Sequence, residues 1–243
     1  MQLTKDMDKS MLTLVLTSFG IIVILNFIPI LNVVLFPFKL FSTFVHETFH
    51  GVAAIVTGGS WVKFAVNFNT SGVAYTRPGL MMVIAPAGYL GTSLMGGILL
   101  LLSARMANAA KKVLVTIGLV MMTITFIFAE SWFSTTGLVG IIFGAFILLM
   151  GLFVNKPIAA FLLNFLAVTL CMNAIIDVKN LFSHTSAGAG FNDAVAMNRM
   201  IPIGAMTWSI IYIALSLLIT YIFVKKALRG PTDHTKTDVR GIL

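Results

Sequence analysis

His46-Glu47-Thr48-Phe49-His50 is the run in this 243-residue chain best equipped for chemistry. It is an H-E-x-x-H pattern set in the apolar stretch 41–56. On a helix, residues four apart lie one turn apart on the same face, so His46 and His50 can both turn toward one Zn²⁺. Glu47 beside them stands where a general base for an attacking water is needed. With 4 His and 2 Glu in 243 residues, a match by chance is expected only about 5 times in 10,000. The bland alternative is three polar side chains hydrogen-bonded to one another inside a helical bundle. Ionisable groups at membrane depth are costly, and cheaper residues would serve that purpose. The pattern therefore points to hydrolytic zinc chemistry in an apolar setting.

The setting follows from composition. The chain is 58% hydrophobic and 10% charged, with a mean hydropathy of +1.01. A soluble domain carries roughly 25% charged residues, so a soluble globular fold is excluded and a polytopic helical membrane protein is implied. The net charge of +8 does not indicate a nucleic-acid partner, because the basic residues are scattered at the ends of apolar runs. The lipid bilayer is the partner that composition implies. The single cysteine, Cys171, lies in an apolar run and reads as a small core residue. The first apolar run is too long for a signal-peptide core and reads as a retained span.

A span needs about 20 apolar residues. The stretches 11–35, 39–58, 79–103, 113–130, 133–154, 157–182 and 205–224 qualify, which gives an all-α membrane protein of about seven transmembrane helices. Pro29 is expected to break or kink the first. Gly58-Gly59 is a natural stop for the motif helix, because glycine accepts the left-handed cap. Residues 60–77 are rich in β-branched and aromatic side chains around Asn-Thr-Ser-Gly, and predict a short β-hairpin after the second span. One membrane domain over 1–228 and a mobile polar tail over 229–243 complete the expected organisation.

Basic residues set an orientation. Arg105, Lys111, Lys112, Lys156, Lys225, Lys226, Arg229, Lys236 and Arg240 fall on one side of a seven-span arrangement, which should be cytoplasmic together with the C-terminus. Lys63, Arg77, Lys179 and Arg199 fall on the other. Trp61, Trp132 and Trp208 lie near the outer ends, where interface anchors would sit.

A catalytic zinc usually takes three protein ligands. Among the few acids, Asp177 lies in the apolar run 164–181, where an unpaired carboxylate is expensive and metal ligation is the evident compensation. At 1.5 Å per residue, Asp177 lies about 8 Å and His50 about 12 Å below the outer ends of their spans, which is comparable depth. Asn173, four residues earlier, shares the face of Asp177 and could support it or touch substrate backbone. Glu130 reads as an interfacial residue beside Trp132. Asp193 reads as a loop or cap residue before Ala194-Val195-Ala196-Met197. Both remain alternatives for the third position. His184 reads as solvated.

These residues together resemble the site-2 protease family of intramembrane zinc metalloproteases. The likeness covers mainly 46–97: Val-His-Glu-Thr-Phe-His-Gly-Val-Ala-Ala-Ile-Val-Thr-Gly-Gly, then Thr-Ser-Gly-Val-Ala-Tyr-Thr, then Ala-Pro-Ala-Gly-Tyr-Leu-Gly. It is closest to a compact bacterial branch without a PDZ-like insertion, which implies the cytoplasmic membrane. The resemblance implies zinc held by His46, His50 and Asp177, water activated by Glu47, and a transmembrane or membrane-proximal protein as substrate. The context Ile-Ile-Asp-Val around Asp177 departs from the Leu-Asp-Gly of better-known members. The hairpin would then hold an unwound substrate by strand addition, or merely connect two spans. Two other function classes fit the residues less well: a non-catalytic metal-binding scaffold, and a transporter with an intramembrane metal site.

Overall fold

The computed structural model describes residues 9–28, 32–105, 109–186 and 192–229. Beyond them lies the tail from residue 230, and the side chains of Asp177 and His184 are also outside the described set. The elements run α1 (Lys9–Phe27), α2 (Asn32–Val56), β1 (Ser60–Val66), β2 (Gly72–Arg77), α3 (Met81–Arg105), α4 (Ala110–Phe128), α5 (Thr135–Leu138), a five-residue π-helical turn (Val139–Phe143), α6 (Gly144–Phe153), α7 (Lys156–Ser186), α8 (Asp193–Met200) and α9 (Ala205–Leu228).

Five helical segments are long and apolar enough to cross a membrane: α3, α4, the α5–α6 stretch Thr135–Phe153, α7 over Lys156–Ile176, and α9. α1 offers a shorter apolar stretch, Met11–Leu25. α2 spans 25 residues but carries Lys39, His46, Glu47 and His50, which dilute its apolarity. The expected first span, 11–35, overran its helix. α1 ends at Phe27 and residues 32–35 belong to the motif helix. Pro29 lacks an amide donor and disfavours helical backbone in the residue before it, which accounts for the early stop.

α3 is the central strut. It packs against α2, α7, α8 and α9, and its small residues permit close approach. A Cβ on Gly96, for example, would collide with the α7 backbone at Cys171. α7 is buried over most of residues 159–174 and, with α2, builds the main apolar core around Phe41, Phe44, Leu100, Leu163, Leu166 and Leu170.

The motif helix ends as its sequence predicts. Gly58 adopts φ +81°, the Gly58 amide donates to Ile55 and the Gly59 amide donates to Ala54 at 2.8 Å, which closes the last orphan carbonyls of α2. The hairpin also forms as expected. β1 and β2 are antiparallel, with Val66 opposite Gly72 and Ser60 opposite Arg77, and a bulge between Trp61 and Lys63. Trp132 is exposed, as an anchor would be, but Trp61 is not an anchor. Its ring is 6% exposed, lies over Gly51 of α2 and stacks on Phe128 at 4.0 Å, so it locks the hairpin to the bundle.

Candidate metal centre

α2 places His46 and His50 one turn apart, with their Nε2 atoms 3.0 Å from each other. A lone-pair nitrogen facing another at that distance is repulsive unless a proton or a cation lies between. The tautomer of His50 is set from behind: its Nδ1 lies 2.7 Å from the Ile84 carbonyl of α3, so Nδ1–H donates and Nε2 is left as a lone pair.

A third group comes from α8. Asp193 Oδ2 lies 3.7 Å from His46 Nε2 and 3.5 Å from His50 Nε2. The donor triangle thus has edges of 3.0, 3.5 and 3.7 Å. Tetrahedral zinc ligands at about 2.1 Å stand about 3.4 Å apart, so the three groups fit one such ion without rearrangement. Two neutral imidazoles and a carboxylate are also a catalytic donor set that leaves one position open.

Asp193 is free for this role because it is not the cap. The residue before it, Asn192, is extended (φ −147°, ψ 175°), and its Oδ1 accepts from the Val195 amide at 3.0 Å. The expectation that Asp193 caps this helix is corrected accordingly. The signal was present in the sequence as two adjacent residues competent to cap one helix, Asn192-Asp193, where one suffices.

The other candidates fall elsewhere. Glu130 pairs with Lys63 of β1 at 3.5 Å, half-exposed, and is not among the clustered donors. Asn173 is buried on α7 and does not line the cavity described below; its Nδ2 has no hydrogen-bond partner among the described residues. Asp177 lies on α7, with its side chain outside the described set. Among the described residues, His46, His50 and Asp193 form the cluster able to hold a metal ion.

Glu47 is buried against the hairpin. The Ala74 amide of β2 hydrogen-bonds its carboxylate, and a Cβ on Gly72 would collide with Oε1. Thr43, one turn before the motif, donates to the Thr70 carbonyl at 2.9 Å and so ties the hairpin loop to α2. A cavity of about 550 Å³ opens over these groups. Its polar wall is Thr43, Asn69, Thr70, Ser71 and Asn192, and its apolar wall includes Met81, Ile84, Ala85, Tyr89 and Leu181.

Two features of the site were not read from the sequence as functional. Tyr89 sets its ring edge against His46, with centroids 4.5 Å apart. The other is Gly88 of α3, where a Cβ would overlap His46 Nε2 and His50 Nε2. Gly88→Ala is therefore expected to push the two imidazoles apart and to weaken zinc binding about 10- to 100-fold, the range seen when the support of a metal ligand is disturbed. Zinc titration of the purified variant checks this.

The family model described as Peptidase M50B-like matches residues 18–223, which include the motif, the hairpin and Asp193. The chain belongs to the Peptidase M50B-like family. No curated protein and no solved structure matches it. Membership agrees with the site-2 protease resemblance of 46–97, and it makes this M50B-like chain an integral membrane member of a peptidase family.

Proposed function

We propose that the chain is an intramembrane zinc metalloendopeptidase that hydrolyses peptide bonds of membrane-embedded or membrane-proximal proteins. The observation that carries this reading is the donor triangle of His46, His50 and Asp193 with Glu47 beside it, in a chain of a peptidase family. His46, His50 and Asp193 would hold the metal, with Asp193 in the place the sequence suggested for Asp177. A bound zinc supplies Lewis acidity toward the scissile carbonyl and toward water. Glu47 accepts the proton of the attacking water and returns it to the leaving amine. Its burial against Gly72 and the Ala74 amide fixes the carboxylate for both transfers.

β2 is paired on one side only, by β1, in a two-stranded sheet, and Gly72, Val73, Ala74 and Thr76 line the cavity. A helical amide is shielded by its own hydrogen bond, so a substrate must unwind before it is cut. We assign the unpaired edge of β2 to holding the unwound segment by strand addition. α1 and α2 complete a seven-span bundle in the cytoplasmic membrane, with the C-terminus cytoplasmic, as the basic residues after α9 favour.

The test is cleavage of a candidate single-span protein by the full chain in liposomes. Activity is expected to be lost on treatment with a zinc chelator and restored by added Zn²⁺. Cleavage that persists in the metal-free protein would contradict the reading. A chain that binds zinc but cleaves no single-span substrate would favour the scaffold alternative.

A further inference from the structure

Asp193 sits in the first turn of a helix of only eight residues, so whatever docks α8 fixes the carboxylate. The docking is aromatic. Trp208 of α9 packs on two small clusters at once, one containing Tyr89, Leu181, Ala194 and Tyr212, the other Ala85, Ala196 and Met197. Its Nε1–H donates to the Ile201 carbonyl at the end of α8, at 3.0 Å. The Trp208 and Tyr212 rings are 6.3 Å apart, Tyr212 stacks on Tyr89 at 5.6 Å, and Tyr89 meets His46 edge-on at 4.5 Å. One unbroken series of rings thus joins the helix that carries Asp193 to an imidazole on α2.

We infer that the series Tyr89, Tyr212 and Trp208 positions Asp193 relative to His46 and so sets the affinity of the centre for its divalent metal. Trp208 is the positioning residue at the α8 end. It touches neither the ion nor the cavity, and it acts by holding α8 against α3 and α9. This rests on the metal reading above. Ring pairs of this kind prefer stacked and edge-to-face geometries, so a shift of Trp208 is transmitted as a change of ring arrangement and not absorbed as loose packing. The Trp208 indole has a second hold in its hydrogen bond to Ile201, which phenylalanine cannot make.

The test uses the full chain in detergent, titrated with Zn²⁺ against a chelating indicator, together with the absorption spectrum of the Co²⁺-loaded protein. Trp208→Ala is expected to raise the zinc Kd about 10- to 100-fold. Trp208→Phe keeps a ring but loses the donor, and is expected to fall between the two. Both should change the Co²⁺ spectrum, because the carboxylate moves relative to the imidazoles. Trp132→Phe, exposed and outside the series, should match wild type. A folded Trp208→Ala with wild-type zinc affinity overturns the inference. So does a variant that only lowers the unfolding temperature of the metal-free chain and leaves the Co²⁺ spectrum unchanged. If Trp208→Ala does not fold, Trp208→Phe decides alone, and an unchanged Kd and spectrum overturn it. Wild-type protein that binds no zinc would instead remove the metal reading itself.

Discussion

Glu47→Gln is expected to abolish peptide-bond hydrolysis while the metal stays bound. Glutamine keeps the shape of the side chain and can still meet the Ala74 amide through its carbonyl oxygen, but it cannot accept a proton from water. General acid–base catalysis contributes about 10²- to 10⁴-fold, and here one carboxylate serves both proton transfers, so the loss should lie at the upper end of that range. The zinc content should not change, because Glu47 is not one of the three clustered donors. The measurement is a cleavage time course beside metal analysis of the same preparation. Full activity in the variant, with membrane insertion intact, would remove Glu47 from the mechanism. Joint loss of metal and activity would make it a structural residue of the site.

The second large effect separates two carboxylates. Asp193→Ala is expected to lose zinc and, with it, activity, since it leaves two imidazoles 3.0 Å apart with no third donor among the described residues. Loss of one of three protein ligands should lower metal affinity by more than the roughly 10- to 100-fold that a supporting group is worth. Asp177→Ala is expected to retain zinc. The measurement is zinc stoichiometry after dialysis for both variants. The reverse pattern would return the third position to Asp177.

The contrast between those two acids marks where the sequence stops being legible. His46, Glu47 and His50 were readable because their geometry is local: a spacing of four on one helix fixes two donors on one face whatever the rest of the chain does. Gly58-Gly59 and the hairpin were readable for the same reason, since a left-handed cap and a short turn are set by the residues that form them. The third donor is not local. An acid in an apolar run was the sound choice on the cost of burying charge. Asp193, in a polar stretch, carried no such signal, because its place beside the two imidazoles is created by the docking of α8 through Trp208, and no periodicity within 193–200 encodes that contact.

The glycines follow the same division. Gly58 announces itself by its position at a helix end. Gly88 reads as one small residue among several on α3, and only the crossing of α2 over α3 turns it into the clearance for two imidazoles. Span boundaries fall between these cases. The apolar runs located the helices, but hydropathy does not distinguish residues 28–35, where one helix stops and the motif helix begins, from a continuous span.

The central claim is that His46, His50 and Asp193 hold one metal ion. Anomalous scattering at the zinc edge, from crystals of the zinc-loaded chain, tests it most directly. One peak is predicted, about 2.0–2.2 Å from His46 Nε2, His50 Nε2 and an oxygen of Asp193. A peak bonded to the two histidines and to Asp177, with Asp193 turned away, would contradict the account.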